Sequence, residues 1–444
     1  MNFIPSVLRR RIAHRPSLVK IVDNIGWLIF DKLLRLGTGL FIGIWIARYL
    51  GPEQFGLLSF AQAFTGLVGA IAALGLPGIV VRDIVRNPDC TRETLGTAAV
   101  LQLMGGLVAY LLILVIVGYL RPDDAIARTI VAILGSMMLL EASKVAVFWF
   151  ESQVQSKYIV WAQNSVFLVF AAVKGALILQ QAPLIAFVWV TLAEAVALAL
   201  MLFGVMSLRG PALSTLRVRV GRAKSLLQDS WPLILSGIAI TIYMKTGQVM
   251  LGQMHDDEAV GIYSAATRIS EVWYFIPTAI AATVFPAILE AKTRSEDQYH
   301  VRLQKLYDLM AFISVGVALP MTFLSTIIVT SLYGEAYLGA GPVLAIHIWA
   351  AVFVFLGVAS NQWFLAENRQ ILSFQRTALG AVVNVGLNLW WIPLYGAVGA
   401  ALATVAAQAA SSWLFDVMQT ETRRMFWMKT KSMNPSRWAK LIPR

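Results

Sequence analysis

Apolar residues occur in repeated blocks of about 20 along this sequence, and this grouping restricts the fold more than any other feature. A helix of about 20 apolar residues spans the hydrocarbon core of a bilayer. Only 14% of the residues are charged, against about 25% in soluble domains. We therefore predict an all-α integral membrane protein with about 12 transmembrane helices. The predicted spans are 25–47, 57–81, 97–119, 128–150, 159–179, 184–206, 232–252, 261–288, 308–332, 342–365, 373–392 and 397–418.

The basic residues predict how these spans are oriented, because cytoplasmic loops carry an excess of Lys and Arg. With the N-terminus inside the cell, 27 of the 36 Lys and Arg residues lie in cytoplasmic segments, three in outer loops and six within spans. We expect both termini to be cytoplasmic and the first span to remain as an uncleaved anchor. The basic residues are spread over short loops, so the net charge of +12 does not indicate a nucleic-acid partner.

The longest predicted inner loop divides the chain into two halves of six spans each. The predicted segments are a basic N-terminal segment (1–24), an N-terminal six-helix lobe (25–206), a basic linker (207–231), a C-terminal six-helix lobe (232–418) and a basic tail (419–444). A short similarity relates the halves at an offset of 205 residues, with the matched pairs Glu53/Glu258, Gly56/Gly261, Ser59/Ser264 and Ala61/Ala266. Both segments begin the second span of their half, as a parallel pseudo-repeat requires.

Ten Lys, Arg, Asp or Glu residues lie at least five residues from the ends of the predicted spans, where each costs about 2.5–3.5 kcal/mol unless it faces water or a partner. The basic ones are Lys32, Arg35, Lys144, Lys174, Lys245 and Arg268, and the acidic ones are Asp31, Glu141, Glu194 and Glu271. The excess of basic residues predicts a water-filled chamber that suits an anionic headgroup. Its candidate headgroup ligands are Arg35, Lys245, Arg268, Lys144 and Lys174. The four acidic residues are candidates for proton or sodium coupling, or for charge pairing.

Structural explanations stay open for several of these charges. Three pairs are spaced three or four residues apart and share a helix face; they are Asp31/Arg35, Glu141/Lys144 and Arg268/Glu271. Lys32, Lys144 and Lys174 lie near enough to span ends to extend towards the headgroups. Lys245 lies about ten residues from either end of its span with no acidic neighbour on its helix, and Glu194 is similarly deep.

Catalytic and cofactor-binding motifs are not found in the sequence. There is no catalytic triad, metal-ligand spacing or Walker A motif, so we predict a transporter without a bound cofactor, not an enzyme. The single cysteine, Cys90, excludes an intrachain disulfide. His347 is expected to be packed or hydrogen-bonded, and Asn384 and Asn388 to join helices.

Three stretches resemble the polysaccharide-transporter (Wzx-type) flippases, which include O-antigen flippases and belong to the multidrug/oligosaccharidyl-lipid/polysaccharide exporter superfamily. Ala47–Leu57 resembles the first-loop signature of that family. Leu332–Tyr337, followed by a span and Asn368, resembles its ninth-to-tenth helix region, and Asn384–Ala401 resembles its eleventh-to-twelfth helix turn. The resemblance extends over about residues 20–420.

The resemblance implies two six-helix lobes in a V shape in a bacterial cytoplasmic (inner) membrane. It implies translocation of an undecaprenyl-diphosphate-linked oligosaccharide from the cytoplasmic to the outer leaflet by alternating access, for O-antigen, capsule or exopolysaccharide biosynthesis. The implied partners are that polyprenyl-diphosphate-linked oligosaccharide, membrane lipid, and the polysaccharide polymerase and chain-length proteins of such a pathway.

Two alternatives remain open from the sequence. An ion-coupled multidrug exporter of the same superfamily would favour an acidic cavity for cationic drugs, whereas the intramembrane charges here are mainly basic. A membrane glycan polymerase or ligase would need an outer-face site, usually built on a sizeable loop. The predicted outer loops are under about ten residues each.

Overall fold

The computed structural model describes residues 16–367 and 369–440, and the regular structure within those ranges is helical. The α-helices are α1 (Pro16–Ala73), α2 (Leu76–Arg86), α3 (Thr91–Leu120), α4 (Ala125–Gly135), α5 (Val145–Ser152), α6 (Lys157–Leu179), α7 (Leu184–Arg209), α8 (Val220–Met254), α9 (Asp257–Glu271), α10 (Phe275–Arg294), α11 (Glu296–Tyr333), α12 (Ala340–His347), α13 (Ala350–Ala366), α14 (Gln370–Ala409), α15 (Phe415–Met418) and α16 (Arg423–Ser432). The prediction of an all-α membrane protein is confirmed.

The number of membrane crossings follows from the lengths of these helices. In the described ranges, nine helices or helix runs are long and apolar enough to cross a membrane, and one bent pair adds a tenth. Two of the nine, Gly26–Arg86 and Gln370–Met418, contain 61 and 49 residues, against about 20 for one crossing. Each is interrupted by a glycine in the left-handed region, Gly51 (φ 75°) and Gly396 (φ 54°). Each therefore contains two predicted spans, which gives the predicted twelve.

The outer surfaces of the long helices are apolar, as contact with lipid requires. Large side chains such as Val115, Phe323 and Val382 are at least 70% exposed. In the most apolar 18-residue stretch of Ala340–Phe364, 67% of the residues are buried, against 17% in that of Leu184–Arg209. The helices α12 and α13 are thus the interior elements of their part of the molecule.

The described chain separates into two compact units. The first contains the chain up to Tyr49 together with Phe64–Ile238, and the second contains Leu50–Ala63 together with the chain from Ala239 onwards. The boundary lies inside α8, after the predicted linker 207–231. Leu50–Ala63 belongs to the second unit, although its position in sequence is within the predicted N-terminal lobe.

A reciprocal contact between glycines explains why Leu50–Ala63 packs in the second unit. A Cβ atom added to Gly56 would overlap the carbonyl of Asp257, and one added to Gly261 would overlap the carbonyl of Pro52. Gly56 and Gly261 are related by the offset of 205 residues, and so are Pro52 and Asp257. The two repeat segments therefore contact each other within the second unit through equivalent residues.

Four predicted spans contain breaks that hydropathy did not reveal. In span 57–81, α1 and α2 are separated by Leu74 and Gly75, both with positive φ. Span 128–150 is α4 and α5 joined by a 3₁₀ segment, Ser136–Lys144, against which Gly106 of α3 packs closely. Span 261–288 is α9 and α10 joined by the 3₁₀ turn Val272–Tyr274. Span 342–365 is α12 and α13, with a turn between them. The helices on both sides of the α4–α5 and α12–α13 breaks are similarly apolar, so hydropathy does not locate those breaks.

The C-terminal segment 419–444, predicted as a basic tail, contains a packed helix within the described residues. Met425 and Met428 of α16 are buried in a core with α10, α11 and α13. Lys429 is fully buried, and its Nζ donates to Asp416 Oδ2 at 2.6 Å and to the Ser412 carbonyl at 2.6 Å. Part of the basic charge assigned to this tail therefore lies inside the protein.

Candidate functional site

In the first unit, two of the predicted intrahelical ion pairs are formed. Arg35 Nε donates to Asp31 Oδ1 at 2.9 Å on α1, and the guanidinium lies 5.8 Å from the ring centroid of Phe167. Lys144 Nζ donates to Glu141 Oε1 at 2.6 Å in the 3₁₀ segment, where residues three apart are eclipsed. Both cations are partly exposed, and both have an acidic partner.

Lys174 and Glu194, which the sequence analysis did not pair with each other, form a third ion pair. Lys174 Nζ on α6 donates to Glu194 Oε2 on α7 at 2.6 Å, and both side chains are about four-fifths buried. The connection between these helices is only four residues long, which brings them together as antiparallel neighbours. In the sequence, the signal for this pair was a basic residue on one helix of the hairpin and an acidic residue on the other.

In the second unit, the structure brings Lys245, Arg268 and Glu271 together. Arg268 Nη2 donates to Gln62 Oε1 at 3.3 Å, and its guanidinium lies 4.8 Å from the ring centroid of Phe55. Glu271 ends α9 and interacts electrostatically with both Arg268 and Lys245. The predicted Arg268/Glu271 pair is thus joined by Lys245 from α8, so that two cations share one carboxylate.

A cavity of about 280 Å³ lies within the second unit, between α8, α9, α12, α13 and α14. Its polar lining includes Gln248, Glu271, His347 and Arg376. Two serines of the π-helical segment Ala410–Leu414 also face it, and π-helical turns frequently occur at functional sites. The cavity is therefore an open pocket between helices, with polar side chains set in a partly apolar lining.

Arg376 is the residue of this cavity that sequence reasoning missed. It lies seven residues into α14 and is only 5% exposed. Its Nη2 donates to Asn361 Oδ1 at 2.8 Å and to the Gly357 carbonyl at 3.4 Å, and its guanidinium lies 5.0 Å from the ring centroid of Phe364. Arg376 was counted with the cytoplasmic loop before its span. Its position three residues inside the predicted span 373–392 was the signal that it is buried.

The neutral polar residues of the spans are packed and hydrogen-bonded. His347 Nδ1 lies 2.8 Å from Ser270 Oγ, and its ring packs edge-on against Tyr263 at 5.9 Å between centroids. The expectation that His347 is hydrogen-bonded is confirmed. Asn388 Nδ2 donates to Asn384 Oδ1 at 2.9 Å within α14. Among the described residues, no group of three or more His, Cys, Asp or Glu is arranged to hold a metal ion.

Comparison with known proteins places this helical arrangement in a family. A model of the polysaccharide biosynthesis protein family matches residues 21–292. The chain is 26% identical over 397 residues to a protein of Haloferax volcanii named as a probable low-salt glycan biosynthesis flippase, with 85% of this chain and 79% of that protein covered.

Solved structures of membrane transporters share the fold. An inward-facing multidrug transporter of the MATE family matches 92% of this chain and 96% of its own, with a TM-score of 0.71 and 16% identity. The lipid II flippase MurJ in an inward closed conformation matches 92% of this chain and 91% of its own, with a TM-score of 0.71 and 13% identity. The family match covers more than half of the chain, and this multi-pass membrane protein therefore belongs to the polysaccharide biosynthesis protein family.

Proposed function

We propose that this protein is a flippase that moves a polyprenyl-diphosphate-linked oligosaccharide from the cytoplasmic to the outer leaflet by alternating access. The observation that carries the proposal is the family match over residues 21–292. A relative that covers 85% of the chain and is named as a probable flippase of glycan biosynthesis supports it. The protein then acts as a transporter rather than an enzyme, with both termini on the cytoplasmic side of the cell membrane.

The intramembrane cations supply the chemistry for holding the diphosphate. Arg35, Lys144 and Lys174 each have one acidic partner within hydrogen-bond distance. Lys245 and Arg268 share Glu271, so this cluster carries a net positive charge when all three groups are ionised. We assign the leading role in binding the headgroup to Lys245 and Arg268, because a net positive cluster attracts a diphosphate more strongly than a neutralised pair does.

We assign the coupling of transport to a proton or sodium ion to an acidic residue. Glu271 is the leading candidate, because it lines the cavity and faces two cations. Asp31, Glu141 and Glu194 are each hydrogen-bonded to a single cation, and protonating any of them would release that cation.

The test is a gene deletion in the native host, with the lipid-linked intermediate assayed separately in each leaflet. We expect the intermediate to accumulate in the cytoplasmic leaflet, and the intact gene to restore export. At matched protein levels, Lys245→Ala and Arg268→Ala should each lower export at least about tenfold, the loss expected when a charged contact to the headgroup is removed. Arg369→Ala is the matched control, because Arg369 is half-exposed and pairs with Glu421.

Two results would contradict the proposal. Normal export without accumulation in a strain that has no second flippase gene would exclude flipping, and resistance to cationic drugs conferred by the protein would then indicate a multidrug exporter. Full export by both the Lys245→Ala and Arg268→Ala proteins would show that this cluster does not bind the headgroup.

A further inference from the structure

Arg376 lines the cavity of the second unit and carries two buried hydrogen-bond donors that have no acceptor among the described residues. Its side chain is buried, and only Nη2 is bonded, to Asn361 and Gly357. Nε and Nη1 have no acceptor among the described residues. A guanidinium is always charged and carries five N–H donors, so a buried one with open donors favours a ligand that brings negatively charged oxygen atoms.

No nearby carboxylate takes up these donors within the described chain. Asp416 interacts with Arg376 electrostatically, but its carboxylate accepts a hydrogen bond from Lys429 Nζ at 2.6 Å. The buried Lys429–Asp416 pair is therefore balanced within itself. Arg376 is left as a cation whose hydrogen-bonded partners, Asn361 and Gly357, are both neutral.

The carboxylate that lines the cavity does not exclude an anion. Glu271 interacts with Lys245 and Arg268, so two cations offset its one negative charge. The lining also carries serine hydroxyl groups, which donate readily to an oxyanion. These serines are Ser373, Ser411 and Ser412.

The size of the cavity limits what it can hold. Its volume of about 280 Å³ lies near the lower end of the roughly 300–1,000 Å³ of ligand pockets. A phosphate or carboxylate group fits in this space.

We propose that the cavity lined by Arg376 is a binding site for a single oxyanion group, a phosphate or a carboxylate. Arg376 supplies the charge and the Nε and Nη1 donors that lack an acceptor, and the serine hydroxyls of the lining supply further donors. The site is separate from the role assigned to Lys245 and Arg268, and it does not depend on whether the protein flips lipid.

Binding of radiolabelled inorganic phosphate to the purified full-length protein in lipid nanodiscs tests this site, with chloride holding the ionic strength constant. We expect saturable binding that Arg376→Gln weakens at least about tenfold, because a charge-assisted hydrogen bond is lost. Glu271→Gln should bind phosphate at least as tightly as the unchanged protein, since a negative charge facing the anion is removed. Arg369→Gln, on the exposed N-terminal end of α14, should leave binding unchanged.

Arg376→Lys keeps the test decisive if Arg376→Gln does not fold. Lysine keeps the positive charge but lacks the planar guanidinium, so it should bind phosphate with an affinity between those of the unchanged protein and Arg376→Gln. The proposal is overturned if the unchanged protein shows no saturable phosphate binding, or if a folded Arg376 variant without the guanidinium binds phosphate as tightly as the unchanged protein.

A competition experiment identifies the source of the oxyanion. Polyprenyl phosphate added to the nanodiscs displaces the labelled phosphate if the natural occupant is the phosphate of a lipid carrier. If it does not compete while free phosphate binds, the occupant is a soluble anion. Both results support the oxyanion site, and neither involves glycan export, so failure here is distinguishable from failure of the proposed flippase function.

Discussion

Lys429 and Asp416 form an ion pair in which both side chains are fully buried. The pair joins α16 to the end of the last membrane-spanning run, and the ammonium also donates to the carbonyl of Ser412. A buried pair of this kind stabilises a fold little compared with an apolar pair, but removing one partner leaves an uncompensated charge in the interior. The attachment of the C-terminal helix therefore depends on both residues together.

Single substitutions in this pair should be much more damaging than the double substitution. Lys429→Met leaves the carboxylate of Asp416 buried without its partner, so the free energy of unfolding should fall by about 3–5 kcal/mol. The double variant Asp416→Leu/Lys429→Met should recover most of that loss. Denaturant unfolding of the purified protein in detergent measures both values, and a single variant as stable as the unchanged protein would contradict the account.

The pH dependence of stability provides a second check on this pair. Burial lowers the pKa of Lys429 to about 8, and the neighbouring Asp416 opposes that shift. The unfolded chain, where the pKa of lysine is about 10.4, binds more protons than the folded protein between these two values. The free energy of unfolding should therefore rise with pH across that window, and the double variant should lack this contribution.

Individual residues also mark the limit of what the sequence could predict about the site. The intrahelical pairs Asp31/Arg35 and Glu141/Lys144 were predictable, because spacing along one helix determines them. The Lys174–Glu194 pair and the burial of Arg376 were not, because both depend on which helices pack together. Hydropathy identifies a charged residue in a span, but it does not identify the helix that the residue faces.

At the scale of elements, each stretch that resembles the flippase family contains a glycine with positive φ. These are Gly51, Gly334 and Gly396, with φ values of 75°, 93° and 54°. Each lies where one helix ends and the next begins, a position that favours glycine because it has no Cβ. The sequence signature therefore reports helix boundaries, which explains why it predicted the fold without identifying the residues of the cavity.

The reciprocal contact at Gly56 and Gly261 makes both positions intolerant of a side chain. Gly56→Ala or Gly261→Ala would force backbone atoms apart, so each should destabilise the protein by about 1–3 kcal/mol. Gly66 is the matched control, because it lies on the same helix with no atom within 4 Å of an added Cβ. Gly66→Ala should be neutral or slightly stabilising. Thermal unfolding measures all three, and equal stability of the Gly56 and Gly66 variants would contradict the contact.

Hydropathy predicted the positions of the spans well but not their internal breaks. The 3₁₀ segment Ser136–Lys144 and the turn between α12 and α13 interrupt spans that read as continuous. The apolar length of a segment determines whether it crosses the membrane, whereas a local change in helix type depends on the neighbouring helix. Gly106, which packs against the carbonyl of Met138, is such a neighbour for the first of these breaks.

At the scale of the whole molecule, the orientation in the membrane is a prediction that Cys90 can test. It is the single cysteine of the chain, and it lies in the short 3₁₀ turn between α2 and α3, in a predicted cytoplasmic loop. In intact cells a membrane-permeant maleimide should label it and an impermeant one should not. Asp123→Cys in a Cys90→Ser background should be labelled by the impermeant reagent. Labelling of Cys90 by that reagent would contradict the predicted topology.

The two compact units have their own cores and their own charge clusters. The family match covers the first unit from residue 21 onwards, and residues 50–63 and 239–292 of the second. The chain carries cations in the spans of both units: Arg35, Lys144 and Lys174 in the first, and Lys245, Arg268 and Arg376 in the second. Each of the three in the first unit pairs with one carboxylate, so the excess of positive charge among these residues lies in the second unit.

Reconstitution of the purified protein is the measurement that tests the central claim most directly. Vesicles would carry a polyprenyl-diphosphate-linked oligosaccharide in both leaflets, and an impermeant glycan-cleaving enzyme would be added outside. With this protein present, we predict that the enzyme reaches the glycans of both leaflets, and that Arg268→Ala slows access to the inner pool. If the inner pool stays protected, as in protein-free vesicles, while the protein is folded and inserted, the chain is not a flippase for this class of lipid.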